Sequence, residues 1–254
     1  MRAGFAAMLV VLTCLGARPV LAAEVKVVTV GAFHPIVAAL AADFERGSGD
    51  TLVEVHDTAG ALLRRIENGE RFDLVILTLS AIIDLTAHGK LSAGQTARLA
   101  RVGIGVAVKE GAPMPSIGDV EAFKQALLAA PSVAYIDPAA GGSSGIYLDQ
   151  LFGRLGIAGA LKDKAVLVQG GLVGDRVVAG DAAIGLQQIS ELLAVKGLHL
   201  VGPLPEAIQN YTLYAGGVSS ETAHAEAAER LLDFLQSDAA IAVLKAKGMA
   251  PPRD

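Results

Sequence analysis

Tryptophan is absent from this sequence, aromatic residues make up 4% of it, and there is a single cysteine, Cys14. So few rings exclude a core built on stacked aromatics. With Cys14 inside the N-terminal apolar run, the rest of the chain has no disulfide or thiol chemistry. Basic charge is also short: 21 Lys and Arg stand against 26 Asp and Glu, a formal net charge of -5. No basic face can neutralise a nucleic-acid backbone, so nucleic acid is excluded as a partner. The apolar run Phe5 to Leu15 falls well short of the roughly 20 residues needed to span a bilayer, and nothing later is longer, so no membrane span is expected in the mature chain.

What is present is Ala, Val, Leu and Ile in quantity, 52% hydrophobic residues overall, with 29 glycines. Over 254 residues this suits helices packed closely on a parallel sheet, an α/β fold. Residues 1–22 read as a signal peptide: Arg2, the apolar run, then a small-residue exit ending Val20-Leu21-Ala22. The expected mature chain starts at Ala23 or Glu24 and is periplasmic.

From there strands and helices alternate. Val25–Val30 leads to a helix from Pro35 to Phe44, Thr51–Val55 to Ala61–Glu67, and Asp73–Leu77 to Ser80–His88. A strand Val102–Val108 and a helix Val120–Ala130 follow. A second βα series then begins: Val133–Ile136, Tyr147–Leu155, Ala165–Val168, Val173–Ala179, Ala183–Gln187 and Ile189–Ala194. After strand Leu198–Val201, a long strand Gln209–Ala215 precedes two helices, Glu221–Gln236 capped by Ser219 or Ser220, and Ala239–Lys247. The pattern predicts two lobes, 23–104 with 208–254 and 105–207, hinged at Val102–Val108 and Gln209–Ala215 around a cleft.

Five scattered histidines without metal-ligand spacing argue against a metal site, and no nucleotide or hydrolase fingerprint opens a helix after a strand. Polar turns aimed into helix starts remain: Asp57-Thr58-Ala59-Gly60 and Gly141-Gly142-Ser143-Ser144-Gly145 offer N–H groups and hydroxyls where helix dipoles favour an anion. Thr58 and Ser144 could equally cap their own helices. Gln187-Gln188 ends a strand that should be buried, where an unpaired amide costs about 1 to 3 kcal/mol and a polar solute would relieve it. His34, after Gly31-Ala32-Phe33, could donate to an anion or accept a proton.

The chain resembles the periplasmic molybdate-binding proteins of ABC importers through Asp43-Phe44-Glu45, Gly60-Ala61-Leu62, Arg65-Ile66-Glu67-Asn68-Gly69, Phe72-Asp73-Leu74, Asp137-Pro138, Gly145-Ile146-Tyr147 and Gly180-Asp181-Ala182-Ala183-Ile184-Gly185. That resemblance implies a type II solute-binding fold of two lobes, each a mainly parallel sheet flanked by helices. It further implies a monomer without a cofactor, a small anionic ligand in the cleft, and a transient ABC permease partner. The family holds its oxyanion with a serine in each of the first two loops and a tyrosine ending the late strand. Ala32, Ala59 and Gln188 stand at those positions here, which implies an organic acid such as a tricarboxylate rather than molybdate.

Val108-Lys109-Glu110-Gly111-Ala112-Pro113, Gln187-Gln188-Ile189-Ser190-Glu191-Leu192, Val201-Gly202-Pro203-Leu204-Pro205 and Tyr211-Thr212-Leu213-Tyr214 are similar to the branch that includes aconitate isomerase. The candidate ligand-binding residues are therefore Ala32, Phe33, His34, Thr58, Ala59, Gly60, Thr78, Ser143, Ser144, Gly145, Tyr147, Gly171, Gln187 and Gln188. An isomerase of this fold would need a base, for which His34 and Asp57 are the candidates.

Overall fold

A computed structural model describes residues 22–252. Residues 1–21 of the expected signal peptide, Cys14 among them, lie outside the described residues. The first lobe opens with three βα units: β1 (Glu24–Val30), α1 (His34–Ser48), β2 (Thr51–Asp57), α2 (Ala59–Glu67), β3 (Leu74–Thr78) and α3 (Leu79–Ala87). β1 lies between β2 and β3, parallel to both. β-branched residues fill β1 and β3, which are covered on both faces, while the edge strand β2 stays half-buried or exposed along its length. Pro35 sits in the first turn of α1, where its missing N–H costs nothing, and Ile36, Val37, Leu40 and Phe44 form the buried stripe.

β4 (Leu91–Lys109) is 19 residues long and joins the two halves. Through Gly103 it pairs antiparallel with β9 (Tyr211–Ser219), and from Ile104 with β7 (Ile184–Gln188) and, from Gly105, β8 (Leu198–Pro203). The second lobe adds α4 (Val120–Ala129), β5 (Val133–Ile136), α5 (Ser143–Arg154), α6 (Ala158–Lys162), β6 (Ala165–Val168), α7 (Val173–Ala179) and α8 (Ile189–Leu192). The chain then returns to the first lobe for α9 (Ala225–Phe234) and α10 (Asp238–Ala246). The sheet order is β2-β1-β3-β9-β4-β7-β5-β6, with β8 also on β4.

The packed side chains divide at the crossing strands. One core draws on residues 25–102 and 214–249, and the other lobe's clusters on residues 104–204.

Several boundaries differ from the sequence expectation. β4 starts at Leu91, not Val102, because its first half alternates exposed polar and small residues and is interrupted by a register shift at Gly94, whose φ is 77°. β9 runs on to Ser219. α9 begins at Ala225, with His224 in the cap position and no side-chain cap bond; neither Ser219 nor Ser220 caps it, since Ser219 ends β9 and its hydroxyl accepts from the Glu221 N–H. α5 begins at Ser143, a turn before the expected Tyr147. Gly145 permits that start, because a Cβ there would lie 2.2 Å from the Ile136 carbonyl oxygen.

Candidate functional site: an interlobe cavity

The carboxyl ends of β1 and β2 from one lobe and of β5 and β7 from the other face a common cavity of about 500 Å3. Three helices start on it. α1 begins at His34 and α5 at Ser143, both without a side-chain cap bond; α5 leaves the Ser143 and Ser144 N–H groups to meet a ligand, whereas α1 leaves only that of His34, since Pro35 has none and the Ile36 N–H donates to the Phe33 carbonyl. α2 begins behind Thr58, whose hydroxyl accepts from the Ala61 N–H at 3.2 Å and donates to the Ala140 carbonyl across the lobes at 2.6 Å. The Thr58 hydroxyl is thus a cap and an interlobe tie.

Of the expected residues, Ala32, His34, Asp57, Thr58, Ala59, Ser143, Ser144, Gly171 and Gln188 line the cavity. The others stand elsewhere. Phe33 is fully buried, edge-on to Tyr214 at 6.3 Å, and Thr78 caps α3. Gly60 packs on Gly141, Gly145 packs on Ile136, and the Tyr147 hydroxyl donates to the Ile208 carbonyl at 2.8 Å. Gln187 is spent inside the lobe: its Oε1 accepts from the Val173 N–H at 2.8 Å and its Nε2 donates to the Gly171 carbonyl at 2.9 Å.

Gln188 faces the other way. Its Nε2 donates to Ser143 Oγ at 3.2 Å and Thr212 Oγ1 at 2.9 Å, while its buried Oε1 has no partner. Both partners are hydroxyls, which donate or accept equally well, so turning the amide over still leaves one polar atom unpaired. Tyr214, 1% exposed, joins this group from β9, and burial pushes its phenol above the usual range. A tyrosine therefore reaches the cavity from a different strand than the one ending at Gln188.

On the first lobe's wall, His34 Nδ1 lies 2.7 Å from Glu54 Oε1 and the His34 ring stacks on His56 at 4.0 Å. Burial, then the neighbouring His34, hold the His56 imidazole below its ordinary range. This contact corrects the inference from scattered histidines: Glu54 and His56 point to one face of β2 and the start of α1 lies over them, so ligating atoms of all three residues fall within 4.8 Å. The two ring planes are only 16° apart, however, and a metal must lie near the plane of each imidazole that binds it. As arranged, the group is a hydrogen-bonded His–Glu pair with a stacked neighbour.

Glu191 on α8, 8% exposed, also lines the cavity, with its pKa pushed up to about 8 by burial, partly offset by a hydrogen bond from Gln187. No Lys or Arg is among the residues lining the cavity. Sequence reasoning missed His56, Glu191 and Tyr214 as cavity residues. The available signals were an acid three residues after a buried strand, and a tyrosine inside the returning strand.

Comparison with known proteins fits this architecture. The pattern described as bacterial extracellular solute-binding protein matches residues 25–250. A Pseudomonas sp protein named aconitate isomerase is 35% identical over 247 residues, covering 93% of each chain. The periplasmic molybdate-binding protein of Azotobacter vinelandii superposes with a TM-score of 0.75 at 20% identity, over 91% of this chain and 100% of that one. The sulfate-binding protein of Mycobacterium tuberculosis gives 0.72 at 18% identity, over 90% and 87%. The two structural likenesses speak to the fold alone, whereas the match across residues 25–250 places the chain among the bacterial extracellular solute-binding proteins.

Proposed function

We propose that this protein is a periplasmic receptor whose lobes close on a small organic anion with more than one carboxylate, for delivery to an ABC-type permease. The observation that carries the reading is the convergence of three helix N-termini, those of α1, α2 and α5, on one interlobe cavity. Their peptide dipoles, with the N–H groups of His34, Ala59, Ser143 and Ser144 that no acceptor among the described residues takes, favour negative charge without needing a cationic side chain. Two features favour an organic acid over a compact oxyanion. Ala32 and Ala59 line the cavity without a side-chain donor for an oxyanion, and about 500 Å3 falls in the range that holds small organic ligands. Turned over, the Gln188 amide lets Oε1 accept from the Ser143 and Thr212 hydroxyls and leaves Nε2 to donate one more bond to the anion. The N-terminal signal supports export to the periplasm.

The hydrogen bond between His34 and Glu54 favours a second reading, aconitate isomerase. With Nδ1–H held by Glu54, the other ring nitrogen is the basic one. It would take a proton from the substrate's CH2 carbon. The C–H electron pair becomes a new C=C bond, the old double bond picks up a proton at its far carbon, and no atom is gained or lost.

Thermal-shift and calorimetric titration of the mature protein test both. Tricarballylate, citrate or trans-aconitate at 100 times its dissociation constant should add about 2.7 kcal/mol, or roughly 5 to 10 °C, and molybdate much less. Submicromolar molybdate binding without a carboxylate response would overturn the proposal. Conversion of cis- to trans-aconitate in D2O, with deuterium entering the product and activity lost in His34→Ala, would establish the enzyme.

A further inference from the structure

One wall of the cavity is a carboxyl group with no cation beside it. α8 reaches from the second lobe to the first loop of the other: Ser190 Oγ donates to the Ala32 carbonyl at 2.8 Å, and the Glu191 carboxyl lies over Gly31. A Cβ at Gly31 would come within 2.8 Å of Glu191 Oε1, so the bare backbone there makes room for the acid. The groups around it are few. Gln187 faces it from β7, Tyr214 comes from β9, and His34, His56 and Asp57 line the same cavity from the first lobe. Tyr214 stays neutral, and Asp57 accepts from the Thr58 N–H at 2.7 Å. No arrangement of these offers Glu191 a counter-ion within its own wall. Neutral, it presents an O–H donor to an anion site, and burial keeps it in that form at neutral pH.

We infer that Glu191 is a specificity-determining residue of the cavity: its protonated carboxyl donates to a carboxylate of the bound anion, so that anion and proton are held together between the lobes. The inference rests on the carboxylate reading above. An O–H donating to a carboxylate makes a short, charge-assisted bond, and an ionised Glu191 facing the same ligand would repel it. Binding is therefore coupled to the acid's proton. Above pH 8 the free protein must take up a proton to bind, and affinity falls with rising pH toward a limit of tenfold per unit.

Calorimetric titration with tricarballylate and with trans-aconitate at pH 7, 8 and 9 tests this, each run in two buffers of different ionisation enthalpy. The probes' own carboxylates are ionised across that window. Wild-type protein is expected to take up about half a proton per site near pH 8 and to weaken toward pH 9. Glu191→Gln keeps an uncharged donor, and should bind with an affinity flat in pH and no proton uptake. Wild-type affinity that is flat from pH 7 to 9, or uptake that persists in Glu191→Gln and so belongs to a cavity histidine, would overturn the inference while leaving the carboxylate reading intact. Failure of wild type to bind either probe at any pH would overturn both. The wild-type proton count stands as a test even if Glu191→Gln folds poorly.

Discussion

Gln187 and Gln188 are neighbours in the chain, but the alternation of a strand sends their side chains to opposite faces of β7 and gives them different tasks. Gln187 serves the fold, since its amide pairs with one backbone donor and one acceptor at the start of α7. Gln188 is held by two hydroxyls with a polar atom left over at the cavity wall. Gln187→Ala should lower stability by about 1 to 3 kcal/mol, by stranding the Val173 N–H and the Gly171 carbonyl, and change the affinity of the folded fraction by less than about twofold at pH 7, where Glu191 is protonated with or without its Gln187 bond. Gln188→Ala should do the reverse. Losing a bond to a charged ligand costs about 1.5 to 3 kcal/mol, roughly tenfold to a hundredfold in affinity. Urea denaturation and calorimetry on both variants check the split, and exchanged phenotypes would assign the roles the other way round. The sequence displays the two amides. It does not display which has its partners, because those partners belong to other elements 14 to 45 positions away.

At the scale of elements, what could be read in advance followed burial. β5, β6 and α7, whose apolar residues are bounded by Gly, Pro or polar turns, lie where their patterns place them, and α1 and β1 do so within a few residues. The first half of β4 was not legible, since Ser92, Gly94, Gln95 and Thr96 carry no apolar alternation and their strand conformation is imposed by pairing with β9. The His34–Glu54–His56 group was illegible for a related reason: α1 and β2 are brought together by the fold, not by spacing. A polar tie of the same long-range kind anchors α9. Arg230 donates to Asp50 Oδ2 at 2.8 Å, and the Ala23 N–H donates to Oδ1 at 3.0 Å. Burial alone would raise the Asp50 carboxyl, but Arg230, the Ala23 N–H and Ser48 outweigh it and hold it below its ordinary 3.8. Arg230→Ala should cost about 1 to 2 kcal/mol at pH 7. That is less than a fully buried pair, because the Arg230 side chain is 38% exposed and water screens it. A depressed carboxyl contributes stability that is present above its unfolded pKa and lost as pH falls through the folded one. The difference between wild type and variant should therefore shrink below about pH 4 in acid denaturation, and a pH-independent difference would assign Arg230 to packing alone.

At the scale of the molecule, two lobes with separate cores are joined by β4 and β9 and meet again across the cavity. At the crossing, Gln209 Oε1 accepts from the Ile104 N–H at 2.9 Å and its Nε2 donates to the Ile104 carbonyl at 2.9 Å, so the side chain completes the ladder where β4 leaves β9. The lobes meet backbone to backbone. The Gly60 N–H donates to the Gly141 carbonyl at 3.1 Å, and a Cβ at Gly60 would sit 2.8 Å from Gly141 Cα. Neither partner has a side chain that could swing aside, so Gly60→Ala can be accommodated only if the lobes part at this point. Folding should not suffer: Gly60 has no positive φ, lies in the first turn of α2 where Ala is favoured, and touches neither lobe's core. Ligand-free Gly60→Ala should therefore melt within a degree or two of wild type. It should bind tricarballylate at least tenfold more weakly, because closure must supply part of the binding energy and this contact opposes it. Small-angle scattering gives the independent measure, with the ligand-induced drop in radius of gyration smaller in the variant than in wild type. Wild-type affinity and wild-type compaction in Gly60→Ala would mean that the Gly60–Gly141 contact is no part of the closed, ligand-bound state.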